Sequence, residues 1–460
     1  MAIPSSSKEK KILDGPKTSA FIQTIKSFFY PFKSLKINYR KYGDIFSAKG
    51  IGDPPLVILS NPQAIEQVFT RDQNLFEVGK GNLAAKPLLG ENSLVLLDGK
   101  KHQKNRQLLM PPFHGERMKS YGQLICQIAE KVISDWEIDK PFIIRDYTQK
   151  ISLRVIVQAV FGVNKGKKYE ELIKLIADWL NIFNSPLKSA FFAFPWLQKN
   201  LGFLTLWAQF LQQKQRIRTI LAEEINEKRN NPELLGEDIL SLMISVKDED
   251  GEPMGDEEIK DQLMTILFGG HESTASSLAW AFYWIHFCPE VKKKLMEELN
   301  AIEDFKDTNA ITKLPYLSAV VAESLRITPV NLFTFARQLK EPLEILGYKF
   351  DPGTMLVPCI YLTHYREDIY PEPHKFKPER FIEKQFSPYE YFPFGGGNRR
   401  CLGSAFALFE MKLVLATVLS KVELQLLEKR PVKSSRRGMT FTPYGGVKMS
   451  LVRIRNGVLS

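Results

Sequence analysis

The sequence predicts a mainly α-helical protein with a small β subdomain. Apolar residues recur at about the helical period of 3.6 across residues 123–294. Two short regions read instead as strands: Leu56–Leu59, with Ile45-Phe46 before it, and residues 343–357, which contain glycine turn signals. A further strand pair is predicted around residues 443–454. The small sheet is therefore expected to draw on both ends of the chain.

Length and composition favour one large globular unit. The 460 residues are 44% hydrophobic and 25% charged, which is an ordinary globular mixture. Length alone would suggest about two or three domains, but no Gly/Ser-rich or Pro-rich linker divides the chain. We predict a single domain over residues 1–460, with a small β-rich part from about residues 40–70 and 335–360, an α-rich remainder and no fused reductase.

The charge and the N-terminal region narrow the classes of partner. A net charge of +11 can indicate nucleic acid, a membrane surface or an acidic protein. The basic residues are spread along the chain without a nucleic-acid motif, and no apolar stretch of about 20 residues could span a bilayer. We expect a helical stripe ending at Pro31 to pack on the body of a cytoplasmic protein, with peripheral membrane contact as the alternative. The stripe comprises Phe21, Ile22, Ile25, Phe28 and Phe29.

The four cysteines form neither a zinc site nor a disulfide framework. None falls in a C-x-x-C pair, and four cysteines in a chain of this length fit a reducing compartment. Cys126, Cys288 and Cys359 have apolar neighbours and are expected to be small buried hydrophobes. Cys401 has a different setting, described below.

One predicted helix is unusually long and carries two glycines. It runs from Asp256 to about Phe287 and contains Gly269-Gly270 in its interior. Each glycine costs about 1 kcal/mol relative to alanine in a helix. Such a pair indicates close approach by another group, for which a helix–helix crossing is the simplest explanation.

The most specific stretch of the sequence is F-G-G-G-N-R-R-C-L-G, from Phe394 to Gly403. Its three consecutive glycines let the backbone turn sharply and approach a flat surface. A helical run, residues 404–419, follows Cys401, and a helix N-terminus stabilises a nearby thiolate. A phosphate-binding loop would need G-x-x-x-x-G-K-[ST], and a dinucleotide fingerprint would need glycine where Arg400 stands.

This stretch matches F-x-x-G-x-R-x-C-x-G, the haem-ligand signature of the cytochromes P-450. The chain therefore resembles that family, especially its soluble bacterial members, cyanobacterial ones included. The resemblance implies the cytochrome P-450 haem-thiolate fold and haem b, with Cys401 as the axial thiolate that favours O–O cleavage. It also implies that Arg399 pairs with a haem propionate and that Phe394 packs beside the sulfur.

Two further segments match the family in the expected order. Glu323 and Arg326 lie three residues apart on one helix face. Alone they would be a surface ion pair worth about 0–1 kcal/mol. In the family they form the buried E-x-x-R pair, completed by an arginine in a Pro-Glu-Arg-Phe segment, which here is Arg380. The resemblance implies a structural role for these three residues.

The glycine-bearing helix resembles the family's oxygen-binding motif A-G-x-[DE]-T-[TS]. The resemblance implies that Gly269 and Gly270 open a groove for O₂, that Glu272 relays protons and that the Ser273 hydroxyl holds the bound oxygen, with Thr274 as an alternative. Ser273 replaces the usual threonine and Gly269 the usual alanine, so oxygen coupling is expected to be looser. We also expect Ser273 to bond the Gly269 carbonyl and bend the helix, and the adjacent His271 to pack rather than to bind a ligand.

Three basic side chains are candidate partners of the haem propionates. His102 and Arg106 lie four residues apart on one predicted helix face, where the family often presents Trp or His and then Arg. A solvated basic helix is the alternative, because Lys101 and Lys104 flank them. Arg337 is the third candidate, by its position before the predicted hairpin.

Family position suggests where a substrate would bind. Residues 75–96 would form a loop over the haem, residues 179–210 an aromatic-rich lid, and residues 329–333 and 438–442 further pocket walls. An exposed lid of this kind favours an apolar substrate, although ordinary helix core explains part of it. Three lysines could attract a carboxylate: Lys80, Lys86 and Lys188.

The predicted reaction is hydroxylation of a long-chain fatty acid or related lipid with O₂. A terpenoid hydroxylase is the alternative, and a non-oxidising haem-thiolate isomerase or haem sensor is disfavoured by Glu272 and Ser273. Electrons would come from NAD(P)H through a reductase and an acidic ferredoxin or flavodoxin-type protein. That protein would dock on basic residues near the cysteine: Lys101, Lys104, Arg400 and Lys412.

Overall fold

The computed structural model describes residues 13–51, 54–71, 75–113, 117–162, 166–182, 185, 188–190, 194, 198, 205–247 and 251–455. The helices in the described parts are α1 Ala20–Phe29, α2 Pro31–Tyr42, α3 Pro62–Thr70, α4 Lys86–Leu89, α5 Gly99–Leu109, α6 Arg117–Ile133, α7 Ile144–Phe161, α8 Lys167–Asn181, α9 Leu206–Asn230, α10 Ile239–Ser245, α11 Asp256–Phe287, α12 Pro289–Asn300, α13 Thr308–Lys313, α14 Pro315–Ile327, α15 Ile360–His364, α16 Arg380–Glu383 and α17 Ser404–Lys421.

In the described residues the strands are short and are fewer than the helices. They are β1 Ile45–Ala48, β2 Leu56–Leu59, β3 Phe76–Glu77, β4 Pro141–Ile143, β5 Arg337–Leu339, β6 Leu343–Ile345, β7 Tyr348–Phe350, β8 Met355–Pro358, β9 Val422–Leu426, β10 Ser434–Arg437, β11 Thr440–Pro443 and β12 Lys448–Ile454. The predicted class, mainly α with a small β part, is confirmed. The chain divides into two compact units.

The first unit is drawn from residues 1–83, 331–373 and 386–401 and contains a five-stranded sheet. The strand order is β1-β2-β8-β5-β3. The central pairing of β2 with β8 is parallel and aligns Leu56 with Met355. Residues far apart in the chain therefore share one sheet, as the sequence predicts. Beside it, the β6–β7 hairpin turns at Leu346-Gly347, where both residues have positive φ.

The second unit contains residues 84–330, 374–385 and 402–460, and α11 is its longest helix. Helix α11 starts with three acidic residues, which favour a helix N-terminus, and its interior is largely buried. Most of its packing is against α7, and it also contacts β11. Its bounds agree with the predicted helix from Asp256 to about Phe287.

Three details differ from the sequence predictions. The strand β12 forms, but it pairs with β9 and β4, while β11 pairs with β10. Pro31 not only follows α1 but begins α2, because proline fits the first turn of a helix. Finally, the predicted packing of the N-terminal stripe is wrong for Phe21, Ile22 and Phe29, whose side chains are exposed.

The remaining large-scale predictions concern membrane spans, domain organisation and location. No helix in the described parts of the chain is both long and apolar enough to cross a membrane. The single-domain organisation and the cytoplasmic location remain predictions.

Candidate active site

The cysteine loop is a compact turn in the first unit. Residues Gly397–Arg399 form one turn of 3-10 helix, and the Cys401 amide donates to the Phe394 carbonyl at 2.9 Å. Gly395 and Gly397 have φ values of 71° and 64°, which side chains other than glycine rarely adopt. Three residues after Cys401 the chain enters α17. The glycines are therefore required by the backbone path, as the sequence indicated.

The loop is held from behind by Phe69 and Arg337. A Cβ on Gly396 would overlap the Phe69 ring, so only glycine fits there. The fully buried Arg337 guanidinium lies 4.8 Å from the centre of that ring, and its Nη2 donates to the Gly396 carbonyl at 2.9 Å. Its Nη1 donates to Thr334 Oγ1 at 3.0 Å and to the Phe335 carbonyl at 2.9 Å. Arg337 therefore fixes the backbone of the cysteine loop, a contact that its chain position did not reveal.

The environments of the four thiols single out Cys401. Its side chain is exposed, whereas Cys359 is buried and Cys126 and Cys288 are half-buried. Burial raises the pKa of Cys126 and Cys288 and raises that of Cys359 to about 12. These three thiols stay protonated near neutral pH. The predicted burial is confirmed for Cys359 and is only partial for Cys126 and Cys288. Only Cys401 combines exposure with a glycine-shaped loop.

These features fit a haem iron. Among the described residues, no group of three or more His, Cys, Asp and Glu side chains could hold a metal ion. A haem iron needs only a single protein ligand, because the porphyrin nitrogens supply most of its coordination. An exposed thiol on a rigid glycine turn supplies such a ligand and leaves room for a flat group.

The two glycines of α11, in the second unit, have different surroundings. A Cβ on Gly270 would lie 3.0 Å from Ile156 Cδ1 of α7, so this glycine allows close helix packing. A Cβ on Gly269 would meet nothing within 4 Å. The helix-crossing explanation therefore holds for Gly270 alone. Gly269 lies on an open stripe with the partly exposed Ile266 and Ser273.

The two hydroxyls after Glu272 both bond back into the helix. Ser273 Oγ donates to the Gly269 carbonyl at 2.8 Å, and Thr274 Oγ1 donates to the Gly270 carbonyl at 3.0 Å. The predicted Ser273 bond is thus confirmed. Ser273 lies on the open stripe, whereas Thr274 is buried. Ser273 is therefore the better placed of the two to meet a small ligand.

Glu272 lies in a buried ion-pair cluster that the sequence did not reveal. Its Oε1 pairs with Arg145 Nη2 of α7 and, at 3.2 Å, with Arg437 Nε of β10. Arg145 also donates to Thr442 Oγ1 at 3.0 Å and to Gln149 Oε1 at 2.8 Å. The cluster therefore links α7, α11 and the β10–β11 hairpin.

The charges in this cluster set the protonation of its members. Burial raises the pKa of Glu272, but the Arg145 charge, with Arg437 adding to it, outweighs burial and holds the pKa below the ordinary value of 4.5. Burial lowers the pKa of His271 to about 4, so this imidazole is neutral near pH 7. His271 Nε2 lies 3.8 Å from Glu272 Oε2, and neither ring nitrogen has a hydrogen-bond partner in the described structure. His271 packs, as expected.

The two oxygens of Glu272 are therefore not equivalent. Oε1 accepts the hydrogen bond from Arg145 and forms the ion pair with Arg437, while Oε2 has no hydrogen-bond partner among the described residues. An ionised carboxylate with a single unused oxygen can take up a proton at that oxygen and release it again.

The predicted Glu323–Arg326–Arg380 cluster is present and buried. Arg326 binds Glu323 through two bonds, of 2.6 and 2.8 Å, and Arg380 Nε adds a third at 3.2 Å. The backbone amide of Lys377 also donates to Glu323, at 2.9 Å. The carboxylate is fully enclosed and its oxygens are satisfied, so the ion pair is not a surface pair.

The helix carrying His102 and Arg106 is not simply solvated. His102 is buried and Arg106 is half-buried, while Lys101 and Lys104 are exposed. Asn105, on the buried side of α5, accepts a 3.1 Å bond from Gln262 of α11. The solvated-helix alternative is therefore wrong for His102. Binding of propionates by His102, Arg106, Arg337 and Arg399 remains a prediction.

The described parts of the lid correct the substrate argument. Trp179, Phe194, Trp207 and Phe210 are all buried, so none of them belongs to an exposed lid. The other lid aromatics, Phe183, Phe191, Phe192, Trp196 and Phe203, lie outside the described residues. Two of the three candidate lysines already have acidic partners: Lys80 pairs with Glu77 at 3.0 Å, and Lys86 with Glu91 at 2.5 Å.

Comparison with known proteins assigns the chain to a class. Residues 20–449 match the family model described as Cytochrome P450. The chain therefore belongs to the cytochrome P450 family and is a monooxygenase, an oxidoreductase. Membership implies a haem with a cysteine thiolate ligand, O₂, an organic substrate and a redox partner.

Individual relatives are similar over nearly their whole length. Cytochrome P450 135B1 of Mycobacterium tuberculosis is 33% identical over 442 residues, covering 96% of this chain and 91% of the relative. Cytochrome P450 135A1 of the same species is 30% identical over 446 residues, covering 95% and 94%. A solved structure of retinoic acid-bound cyanobacterial CYP120A1 has a TM-score of 0.82 at 24% identity, covering 94% of this chain and 96% of that one. This likeness confirms the fold.

Proposed function

We propose that Cys401 is the haem ligand of a monooxygenase that hydroxylates an apolar substrate. The observation that carries the assignment is the exposed Cys401 thiol on a loop whose glycines are required by φ and by contact with Phe69. Arg399, Arg337, His102 and Arg106 would bind the haem carboxylates. Phe394 would pack beside the sulfur.

The ligand assignment has a direct spectroscopic test. Cys401→Ala should abolish the thiolate spectrum of the reduced carbon monoxide complex, because that spectrum depends on the sulfur ligand and alanine has no donor atom. Cys126→Ala is the matched control, since Cys126 is a half-buried thiol on α6, and it should leave the spectrum unchanged. A normal spectrum in Cys401→Ala would overturn the assignment.

The haem, when bound, supplies oxygen activation, and the residues of α11 would supply protons and orientation. We propose that Glu272 takes up and releases protons at Oε2, since Oε1 is held by the two arginines. Ser273 would turn its hydroxyl from the Gly269 carbonyl toward a ligand on the open stripe. The exchange is inexpensive, because a hydroxyl rotates freely and loses about 1 kcal/mol with one hydrogen bond.

The proposed substrate is a long-chain fatty acid or a related lipid. Two predicted pocket segments are joined in the second unit, where the Phe441 amide donates to the Val330 carbonyl at 2.8 Å, and both side chains are apolar and buried. Apolar walls of this kind favour a hydrocarbon substrate. The pairing of Lys80 and Lys86 with glutamates leaves Lys188 as the remaining member of the three lysines proposed to attract a carboxylate.

A spectral-shift titration separates the candidate substrates. Lauric, palmitic and stearic acids should shift the haem absorption spectrum of the resting enzyme, while camphor and limonene should not. Retinoic acid, which is bound in the cyanobacterial relative of similar fold, combines a terpenoid chain with a carboxylate and is a useful third probe. A response to terpenes without a response to the fatty acids would favour the terpenoid alternative.

We further propose an acidic ferredoxin or flavodoxin-type electron donor. Lys101 and Lys104 on α5 and Arg400 in the cysteine loop are exposed. Lys412 does not belong to this set, because it is half-buried and donates to the Thr312 carbonyl at 2.7 Å. Lys101→Glu with Lys104→Glu should slow reduction by ferredoxin at low salt, and the exposed Lys429→Glu is the control. A reduction rate that changes neither with the charge reversal nor with ionic strength would contradict this docking.

A further inference from the structure

Helix α1 is attached to the first unit by its polar side. The Gln23 side chain is buried: its Nε2 donates to the carbonyls of Pro16 and Thr18 at 2.9 and 2.8 Å, and its Oε1 accepts from the Lys49 amide at 3.0 Å. Phe28 is the other buried side chain of the helix. A surface helix normally buries its apolar stripe and exposes its polar one. In α1 a glutamine amide is one of the two groups that anchor the helix.

The opposite arc of α1 is apolar and faces outward. Phe21, Ile22 and Phe29 are 53%, 43% and 38% exposed. Ile25, half-buried, lies four residues from both Phe21 and Phe29, so the side chains form one continuous stripe. The exposure continues at Tyr30, between the two helices, which is 66% exposed. Exposed apolar stripes of this size mark contact surfaces.

The charge of the same segment has a single sign. Residues 15–43 contain six basic residues and no Asp or Glu. Five of the six are exposed: Lys17, Lys26, Lys33, Arg40 and Lys41. Lys36, the sixth, lies 5.9 and 5.4 Å from the ring centres of Tyr361 and Tyr365. The apolar stripe is therefore accompanied along both helices by uncompensated positive charge.

We propose that α1 and the start of α2 dock on a lipid bilayer that contains anionic headgroups. An interfacial helix combines an apolar face with lysines that reach the headgroups, and an apolar face and a basic patch together give firmer binding than either one. An acidic protein would also match the charge. However, protein interfaces are depleted in lysine and enriched in arginine, and five of these six basic residues are lysines. The composition therefore favours lipid.

The test uses the full-length holoenzyme and vesicles in a co-sedimentation assay. We expect binding to vesicles of phosphatidylcholine with about a third phosphatidylglycerol, weak binding to pure phosphatidylcholine, and loss of binding at high salt. Lys26→Gln with Lys33→Gln should lower the affinity about 25-fold, since each basic residue at an anionic surface contributes about fivefold. Phe21→Ser with Phe29→Ser should lower it at least as much.

Matched controls separate this surface from general charge or hydrophobicity. Leu234 and Ile382 are 47% and 55% exposed elsewhere on the chain, and Leu234→Ser with Ile382→Ser should leave vesicle binding unchanged. Lys429→Gln with Lys433→Gln is the corresponding charge control. An unchanged reduced carbon monoxide spectrum shows that each variant is folded. The proposal would be overturned if the holoenzyme does not bind the anionic vesicles, or if the α1 variants bind them as tightly as the parent protein. It would also be overturned if the α1 substitutions weaken binding to an acidic ferredoxin and leave vesicle binding unchanged.

Discussion

Glu272 and Glu323 are two buried carboxylates that each contact two arginines, yet the contacts of their oxygens differ. Glu323 accepts bonds at both oxygens, from Arg326, Arg380 and a backbone amide. Glu272 contacts both arginines through Oε1, and its Oε2 lies beside the neutral imidazole of His271. A carboxylate with every acceptor filled is fixed in place, whereas a carboxylate with one open oxygen can exchange a proton. The difference lies in the geometry and not in the kinds of residue.

The largest effect is expected from Glu323. Glu323→Ala leaves two buried guanidinium groups without their shared partner, which should reduce the free energy of unfolding by about 3–5 kcal/mol. The measurement is urea unfolding of the holoenzyme followed by circular dichroism. The control is Glu170→Ala, which breaks an exposed two-bond pair with Arg154 and should cost about 0–1 kcal/mol. Equal losses in the two variants would contradict the structural role of Glu323.

The next effect concerns Glu272 and should appear in catalysis. Glu272→Gln keeps the side-chain volume but removes the proton-exchanging oxygen, so the product-forming rate should fall about 10²-fold. Haem content and the reduced carbon monoxide spectrum should stay normal. Glu257→Gln, an exposed position on the same helix, is the control. A rate within about twofold of the parent enzyme would remove Glu272 from the proton path.

A smaller effect is expected at the two neighbouring hydroxyls. Ser273→Ala should raise the ratio of hydrogen peroxide to product about 2- to 10-fold, the range that corresponds to one lost hydrogen bond. Thr274→Val, on the buried side of α11, should change the ratio less. Peroxide and product can be measured in the same turnover experiment. The reverse order of the two variants would assign the oxygen-side hydroxyl to Thr274.

The smallest effect tests the charge balance around Glu272. Its lowered pKa contributes stability that is present above the unfolded value and is lost as pH falls through the folded value, which lies below 4.5. Arg437→Gln removes one of the charges that lower the pKa, so the folded pKa moves toward the unfolded value and part of this stability is missing above the unfolded value. The variant should be less stable than the parent by about 1 kcal/mol in the free energy of unfolding at pH 6, and this difference should shrink as pH falls below 4.5. Arg436→Gln is the control, because Arg436 stacks on Phe441 instead. The same pH-dependent loss of unfolding free energy in that variant would reject the assignment.

Local patterns in the sequence were sufficient for much of the fold. The bounds of α11 and the positions of β1, β2 and β6 to β8 follow from periodicity, capping and turn residues, which depend on near neighbours. The pairing of β12 was wrong, because strand partners are chosen by packing between distant segments. The predicted packing of the apolar stripe of α1 was also wrong. Periodicity identifies an apolar face of a helix but does not say whether that face points to the core or to solvent.

The candidate site divides along the same line. Contiguous motifs identified Cys401, the Glu323–Arg326 pair and Ser273. Arg145 lies in an ordinary-looking helix 127 residues from Glu272, and no local pattern connects the two. Arg337 was selected for the haem carboxylates, yet the contact that the structure shows is with the Gly396 carbonyl. Long-range ion pairs of this kind require the three-dimensional fold.

The close fit of Gly396 against Phe69 also constrains how the cysteine loop can vary. Any side chain at residue 396 would occupy the space of the Phe69 ring, so a library that varies the loop alone should return glycine at this position. A library that also varies residue 69 should recover Gly396→Ala together with a smaller residue in place of Phe69. Substitutions at residues 69 and 396, which are far apart in the chain, would then be selected together and not singly.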